Sequence, residues 1–410
     1  MDAGLDSTRF RGVLKRLRTI AAISLALVLL TAVAASAMIA QKPDYPAFSG
    51  TTAWGANGRV WAIVRIGDVV YLGGNFTEAV RSDGLTKPRN DLMAVDALTG
   101  TLLPWQPKVD GIVFSIAADG TTLLVGGDFT SVNATPRSNF AAIDTAGNLE
   151  DWHLDTTNQV RALTFSGTTL FLGGQFNFVE GQTRIRLAAA DLSTLPPPGG
   201  TPPLLDWTPS VNHSVRSILV MPNGNVLVGG VFDEITEQGS STPDTTKPFI
   251  QALTPPGPGG GKFAQWDEHT VDFVWDLAMM PDGRVIVGRG GKKGGTIGAY
   301  TETGDVTWHD FANGDVQAVG YADGRVIAGG HWAFINGGPT GRTHLPRLAA
   351  IDPTTGKLDM SWQPWPDSIK GVWSVLGGSD KLFVGGDFTT MEHGADIANR
   401  YAQFTITPSS

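Results

Sequence analysis

The stretch Leu123-Leu124-Val125-Gly126-Gly127-Asp128-Phe129-Thr130 decides how the chain is read. A short apolar run ends in a glycine pair, a polar residue and an aromatic. The phrase returns as Tyr71-Leu72-Gly73-Gly74-Asn75-Phe76, Phe171-Leu172-Gly173-Gly174-Gln175-Phe176 and Leu227-Val228-Gly229-Gly230-Val231-Phe232. It returns again as Ile327-Ala328-Gly329-Gly330-His331-Trp332 and Phe383-Val384-Gly385-Gly386-Asp387-Phe388, with an altered copy at Ile286-Val287-Gly288-Arg289-Gly290. Self-similarity at a near-constant period is the signature of a repeat architecture and outranks local signals.

Outward from each copy, the same order of parts recurs. Upstream stands V-x-small-apolar, as in Val60-Trp61-Ala62-Ile63, Val113-Phe114-Ser115-Ile116, Val160-Arg161-Ala162-Leu163, Val215-Arg216-Ser217-Ile218 and Val372-Trp373-Ser374-Val375; Val274 and Val316 open the remaining two modules. Asx-Gly pairs such as Asp119-Gly120, Asn223-Gly224, Asp282-Gly283 and Asp323-Gly324 follow, the residues of tight hairpins. After the glycine-pair strand comes A-x-D (Ala94-Val95-Asp96, Ala142-Ile143-Asp144, Ala350-Ile351-Asp352), then a segment ending in Trp105, Trp152, Trp207, Trp266, Trp308 or Trp362. Four short strands in roughly 50 residues, repeated seven times, predict an all-β fold, a seven-bladed β-propeller of four-stranded blades. The small residue of the opening phrase suits the innermost strand, and the glycine pair suits a close approach of neighbouring backbones.

The last module has no Trp-ending segment before Ser410, whereas the lead-in to Trp54 is such a segment with no module before it. The last blade is therefore expected to be closed by the N-terminal strand, around Gly50 to Trp54. Residues 48–410 are read as a single propeller domain, preceded by a lead-in at 38–47.

The first 37 residues read as a signal peptide. Arg9, Arg11, Lys15, Arg16 and Arg18 precede an uncharged run from Ile20 to Ala40, with Ala35-Ser36-Ala37 as an A-x-A cleavage site. The alternative is an uncleaved membrane anchor to about residue 40. Either way the rest is expected to be exported: secreted or extracellular, or anchored by its N-terminus. The formal charge of −9 includes this basic leader, so the body is more acidic still. An acidic body argues against nucleic acid as a partner. With no cysteine, disulfides, thiolate metal sites and Cys nucleophiles are excluded. A hydrophobic content of 41% is enough for a large core, and 52 glycines with 25 prolines fit many turns.

Laid out as V-x-A-[IL]…G-G-D-F-T…L-A-A-[IL]-D…G-x-L…W-x-P, best seen at Val372 to Thr389 and Leu348 to Pro364, the modules resemble the delta-60 repeat β-propeller proteins of exported bacterial proteins. The resemblance covers about residues 50–407. It implies a seven-bladed propeller and no particular activity. A looser likeness to kelch propellers rests on the glycine pair and the fourth-strand Trp.

Candidate sites follow from the repeat. The residues after the glycine pairs, Asn75, Asp128, Gln175, His331 and Asp387, would form a polar ring at one end of the channel, able to hold a sugar or a structural cation. The bland reading ties each to its own loop. Arg289, Lys292 and Lys293 make module five the one markedly basic spot, a weak candidate for an anion, against the reading of a degenerate blade with a loose loop. Trp61, Trp275, Trp373, Trp332 and Trp365 would pack between blades, or stack on sugars where they reach the channel mouth. The proline-rich stretches at 195–205 and 254–262 are read as surface inserts.

No catalytic constellation stands out. There is no G-x-S-x-G elbow, H-E-x-x-H helix or P-loop context. Thr301 to Trp308 only echoes a sialidase box, and Ala94 to Trp105 is one residue too long for a quinoprotein docking motif. The expectation is a non-catalytic exported binding or scaffold module for a cell-envelope glycan or protein, without a cofactor. The alternative is a secreted propeller enzyme (hydrolase, lyase or quinoprotein-like) with its site at the channel mouth.

Overall fold

The computed structural model describes residues 47–48, 54–268, 272–338 and 341–406. The leader expectation, and most of the proposed closing strand, lie outside these residues. Within the unit Tyr45–Ile406, one sheet recurs seven times. In module one it comprises Arg59–Ile66, Val69–Asn75 and Leu92–Asp96, in that spatial order and antiparallel throughout. Val, Leu and Ile alternate with small residues here, as suits strands buried on both faces.

Among the described residues the fourth strand is complete in module five alone, where Val306–Ala312 pairs along the whole of Gly295–Tyr300. In modules one, two, three, four and six it is a single antiparallel bridge: Val95 to Leu102, Ile143 to Leu149, Ala190 to Leu204, Leu253 to Phe263 and Ile351 to Leu358. Prolines such as Pro104, Pro202 and Pro203 flank these bridges, and a proline has no N–H to extend a ladder. Module five, altered in sequence, is thus the most regular sheet. Its basic loop is a two-residue turn, Lys292-Lys293, between Val285–Gly290 and Gly295–Tyr300.

Modules meet through valine and glycine. A methyl group added at Gly73 would lie 2.5 Å from the Val113 side chain, and one at Gly126 2.6 Å from Val160. Gly173 meets Val215, Gly229 meets Val274, Gly288 meets Val316 and Val319, and Gly329 meets Val372 in the same way. Gly385 of module seven meets Val60 and Ile63 of module one, so the contacts run through all seven modules and return to the first. Among the described residues no hydrogen-bonded sheet closes on itself; side-chain packing joins the modules, with one backbone pairing, Ala312 with Ile335, added between modules five and six. The second glycine of each pair lies under the ring that follows: a Cβ at Gly74 would come within 2.8 Å of Phe76, and one at Gly127 the same distance from Phe129.

A two-residue strand is added to module seven, and the first four residues of the expected segment, 50–53, lie outside the described ones. Ala47–Phe48 pairs with Tyr401–Thr405, upstream of the expected Gly50 to Trp54. Trp54 begins another strand, Trp54–Ala56, paired with Glu78–Arg81, and its N–H donates to the Gly100 carbonyl at 3.0 Å. Its ring is buried with Val60, Phe383 and Tyr401. Trp54 therefore packs where first and last modules meet, while the backbone pairing lies several residues earlier.

A crown of short hairpins follows the glycine pairs in most modules, for example Ser131–Val132 with Thr135–Pro136 and Phe334–Gly338 with Gly341–His344. Each loop is stapled by a side chain just ahead of an inner strand. Asn57 accepts from the Thr77 and Glu78 N–H groups, Asp110 from Thr130 and Ser131, Asn212 from Asp233 and Glu234, Asn313 from Ala333 and Phe334, and Asp367 from Thr389 and Thr390. In module five the Lys292-Lys293 turn takes the place of the hairpin.

Candidate binding site at the channel mouth

Every inner strand carries a β-bulge at the same place. Val60 pairs with Gly74 and Ala62 with Gly73, leaving Trp61 as the extra residue. The same shift isolates Phe114, Arg161, Arg216, Trp275, Gln317 and Trp373. A bulge re-aims a side chain at the cost of ladder bonds, and bulges gather at barrel rims and functional sites. Here all seven extra residues line one central cavity of about 670 Å³.

Four of the seven are aromatic and in contact. Trp61 meets Phe114 edge-on at 5.5 Å between ring centres and Trp373 at 4.5 Å; Trp373 meets Trp275 at 5.9 Å. Arginines stack at both ends of this arc. The Arg161 guanidinium lies 4.1 Å from the Phe114 ring centre, and that of Arg216 lies 4.7 Å from Trp275. A third, Arg59, sits over Trp61 at 4.6 Å and Trp373 at 5.0 Å.

The three arginines differ in how their charge is met. Arg59 pairs with Asp387 at 3.3 Å. Arg161 donates to the side-chain Oε1 of Gln159, and Gln159 Nε2 in turn donates to Asp128 at 2.7 Å. Desolvation holds the Arg161 pKa below its ordinary value, with Asp128 opposing. Arg216 is pushed down to about 10 by desolvation and then by the like charge of Arg161. Among the described residues no carboxylate pairs with it. The buried Nε atoms of Arg161 and Arg216, the indole nitrogens of Trp275 and Trp373, and Oε1 of Gln317 have no hydrogen-bond partner within the described protein. Buried polar atoms are normally bonded, so five in one layer is a concentration that calls for a ligand or solvent.

Beneath this layer the residue after the bulge clips one module to the next. Ser115 Oγ accepts from the Leu163 N–H at 3.1 Å, and Ser217 Oγ from the Leu277 N–H at 3.2 Å. Asp276, in module five, accepts from Leu277 N–H at 2.9 Å, Val319 N–H at 2.9 Å and Ser217 Oγ at 3.2 Å. Desolvation raises this carboxyl to about 6 against those three bonds. Its oxygens are committed to structure across modules four, five and six.

The residues after the glycine pairs do lie at this end, but they are not equivalent. Asp128 and Asp387 each reach an element of another module, through Gln159 and Arg59; Asp387 also accepts from Ser368. His331 stands 3.7 Å from Asp315. Asn75 is exposed at its strand end, and the Gln175 backbone N–H donates to the Gln159 carbonyl at 2.9 Å. Arg289 is separated from its neighbours Lys292 and Lys293. It is buried, ion-paired to Glu268 at 2.6 Å and donates to the Tyr300 hydroxyl at 2.6 Å, while the two lysines are exposed in the turn. Among the described residues the group with cation-like spacing is His153, Asp155 and Glu180, away from this rim. There His153 Nδ1 lies 3.0 Å from Glu180, and Asp155 accepts from the Ser138 N–H at 2.7 Å.

Of the extra aromatics, Trp61, Trp275 and Trp373 line the channel, whereas Trp332 is buried and donates to the Leu345 carbonyl at 2.8 Å. Reading the tryptophans alone leaves out Arg161, Arg216 and Gln317, which stand in the same column of the repeat. The signal for them is that column, read down all seven modules as Trp, Phe, Arg, Arg, Trp, Gln, Trp.

The chain matches no protein-family model and no curated protein. Solved structures do resemble it. The WD40 β-propeller domain of Doa1 aligns over 88% of this chain and 97% of its own, with a TM-score of 0.52 and 15% identity. The computationally designed protein Ika8 aligns over 88% of this chain and 100% of its own, with a TM-score of 0.51 and 16% identity. The extracellular domain of a hybrid two-component system from B. thetaiotaomicron gives a TM-score of 0.50 at 15% identity, over 89% of this chain and 40% of that one. The protein is thus an all-β propeller. At such identities the likeness concerns fold and not function.

Proposed function

We propose that the chain is an exported, non-catalytic binding module that holds a cell-envelope glycan at the mouth of its central channel. One observation carries this reading: seven bulges turn seven side chains into one cavity, and the layer they form presents aromatic faces beside unpartnered polar atoms. Aromatic planes stack on the C–H faces of sugars, and unpartnered N–H groups supply directional bonds. Export rests on the leader read from residues 1–37. No cofactor enters the reading.

Solubilised fragments of envelope polysaccharide, titrated into the purified protein, are expected to change tryptophan emission saturably. Trp373→Ala should abolish saturation, since Trp373 touches Trp61, Trp275 and Arg59. Undiminished binding by that variant would put the ligand elsewhere and overturn the proposal.

A further inference from the structure

We infer that the sugar held at the channel mouth is acidic: a hexuronic acid residue whose carboxylate lies between Arg161 and Arg216 while its ring stacks on the neighbouring indoles. This rests on the channel-mouth reading above and adds the charge and chemical class of the ligand.

Arg161 and Arg216 occupy the bulge positions of adjacent modules, so two guanidinium groups are turned into the same part of the cavity. Placing like charges side by side away from water is unfavourable unless an anion joins them. Among the described residues no carboxylate does so for Arg216, whose guanidinium stacks on the Trp275 face. The Nε atoms left unpartnered on both arginines are donors suited to the planar fork of a carboxylate. The bonds of Arg161 to Gln159 and of Gln159 to Asp128 hold one of the two arginines in place.

The surroundings select the kind of anion. Asp128 and Asp387 stand at the rim and Asp276 lines the cavity. Asp128 is already linked to Arg161 through Gln159 and Asp387 to Arg59, so Arg216 alone lacks a paired carboxylate among the described residues, a balance that favours a ligand group of charge −1 over a phosphate near −2. The stacked rings favour a carboxylate borne on a pyranose, whose axial C–H groups form an apolar face.

The test is isothermal titration of the full-length protein with tri-galacturonate, its methyl ester, the neutral tri-galactose, inorganic phosphate and a short peptide with a free C-terminal carboxylate. Tri-galacturonate should bind saturably, and the methyl ester and tri-galactose at least tenfold more weakly. Arg216→Gln should lower tri-galacturonate affinity at least tenfold, and Arg216→Lys less. A thermal midpoint for Arg216→Gln no lower than that of the parent shows that the loss is not unfolding. Equal binding of acid and ester, abolished by Trp373→Ala, would overturn the acidic ligand while leaving the channel-mouth site standing. Tighter binding of phosphate or of the peptide would overturn the uronate assignment. No binding of any of them would count against both proposals.

Discussion

Replacing Arg216 by methionine should make the protein more stable. The guanidinium is mostly withdrawn from water, lies beside Arg161, and is pushed down from its ordinary value to about 10 by burial and that like charge. Each pKa unit corresponds to about 1.4 kcal/mol, so a fall of this size represents about 3 kcal/mol of destabilisation carried by the charged form. The sign follows from linkage. The folded state binds this proton less tightly than the unfolded chain, so the cost is fully present below about pH 10 and fades only as pH rises above it toward the ordinary arginine range. Methionine keeps much of the apolar stem but loses the stacking on Trp275, a contact worth about 1 kcal/mol. The expected gain at pH 7 is therefore about 1–2 kcal/mol, in line with other replacements of buried charge by apolar side chains. Urea denaturation at pH 7, followed by circular dichroism, gives the comparison as a shift in midpoint at constant slope. Arg59→Met is the control: Arg59 is paired with Asp387 and stacked on two indoles, so its loss should destabilise. An Arg216→Met protein less stable than the parent would refute the account of Arg216 as an uncompensated charge.

Three further expectations concern the frame around the site. Gly385→Ala puts a methyl 2.7 Å from Val60 where the seventh module meets the first, and should cost about 1–3 kcal/mol; Val60→Ala in the same chain should recover part of that loss in a double-mutant cycle of denaturation midpoints. Arg289→Ala leaves Glu268 without the cation it pairs with at 2.6 Å and should cost about 3–5 kcal/mol, whereas Lys292→Ala, in the exposed turn, should move the thermal midpoint little. Asp110 is held down at about 2 by bonds from Thr130 and Ser131 that outweigh its desolvation, so its contribution is complete above about pH 4 and is lost as pH falls toward 2; acid unfolding of Asp110→Ala should lack that component and begin from a stability about 1 kcal/mol lower at neutral pH.

What could be read from the chain alone follows from what repetition preserves. The opening valine and the glycine pair recur because each Val–Gly contact is the same steric fit, from Gly73 and Val113 round to Gly385 and Val60. A constraint imposed seven times stands out without any structure. The closing strand was harder. The Trp54 signal marks a packing position against Val60, Phe383 and Tyr401, not the residues that pair, which are Ala47 and Phe48. Arg289 looked like part of a basic loop because its partner Glu268 is distant in sequence and precedes the strand that carries the arginine. The stapling residues Asn57, Asp110, Asn212 and Asn313 stand three residues before their opening valines, and Asp367 five before Val372, yet they read as ordinary loop polarity until their hydrogen bonds are seen.

The channel layer shows why a repeat can hide its own site. The valine, the glycines and the small residue are held nearly constant by contacts between modules, so they define the pattern that the eye follows. The bulged residue meets bulged residues of neighbouring modules, as Trp61 meets Phe114, and not a constant valine or glycine, so its identity varies from Trp61 to Arg161 to Gln317. Variation there costs the frame little, which is what lets one ring of equivalent positions carry aromatic, cationic and amide groups together. The same freedom explains how Arg216 can persist at a stability cost. A charge that weakens the fold and is unneeded by it is best accounted for by what it binds, and on that argument Arg216→Met should gain stability and lose ligand in the same protein.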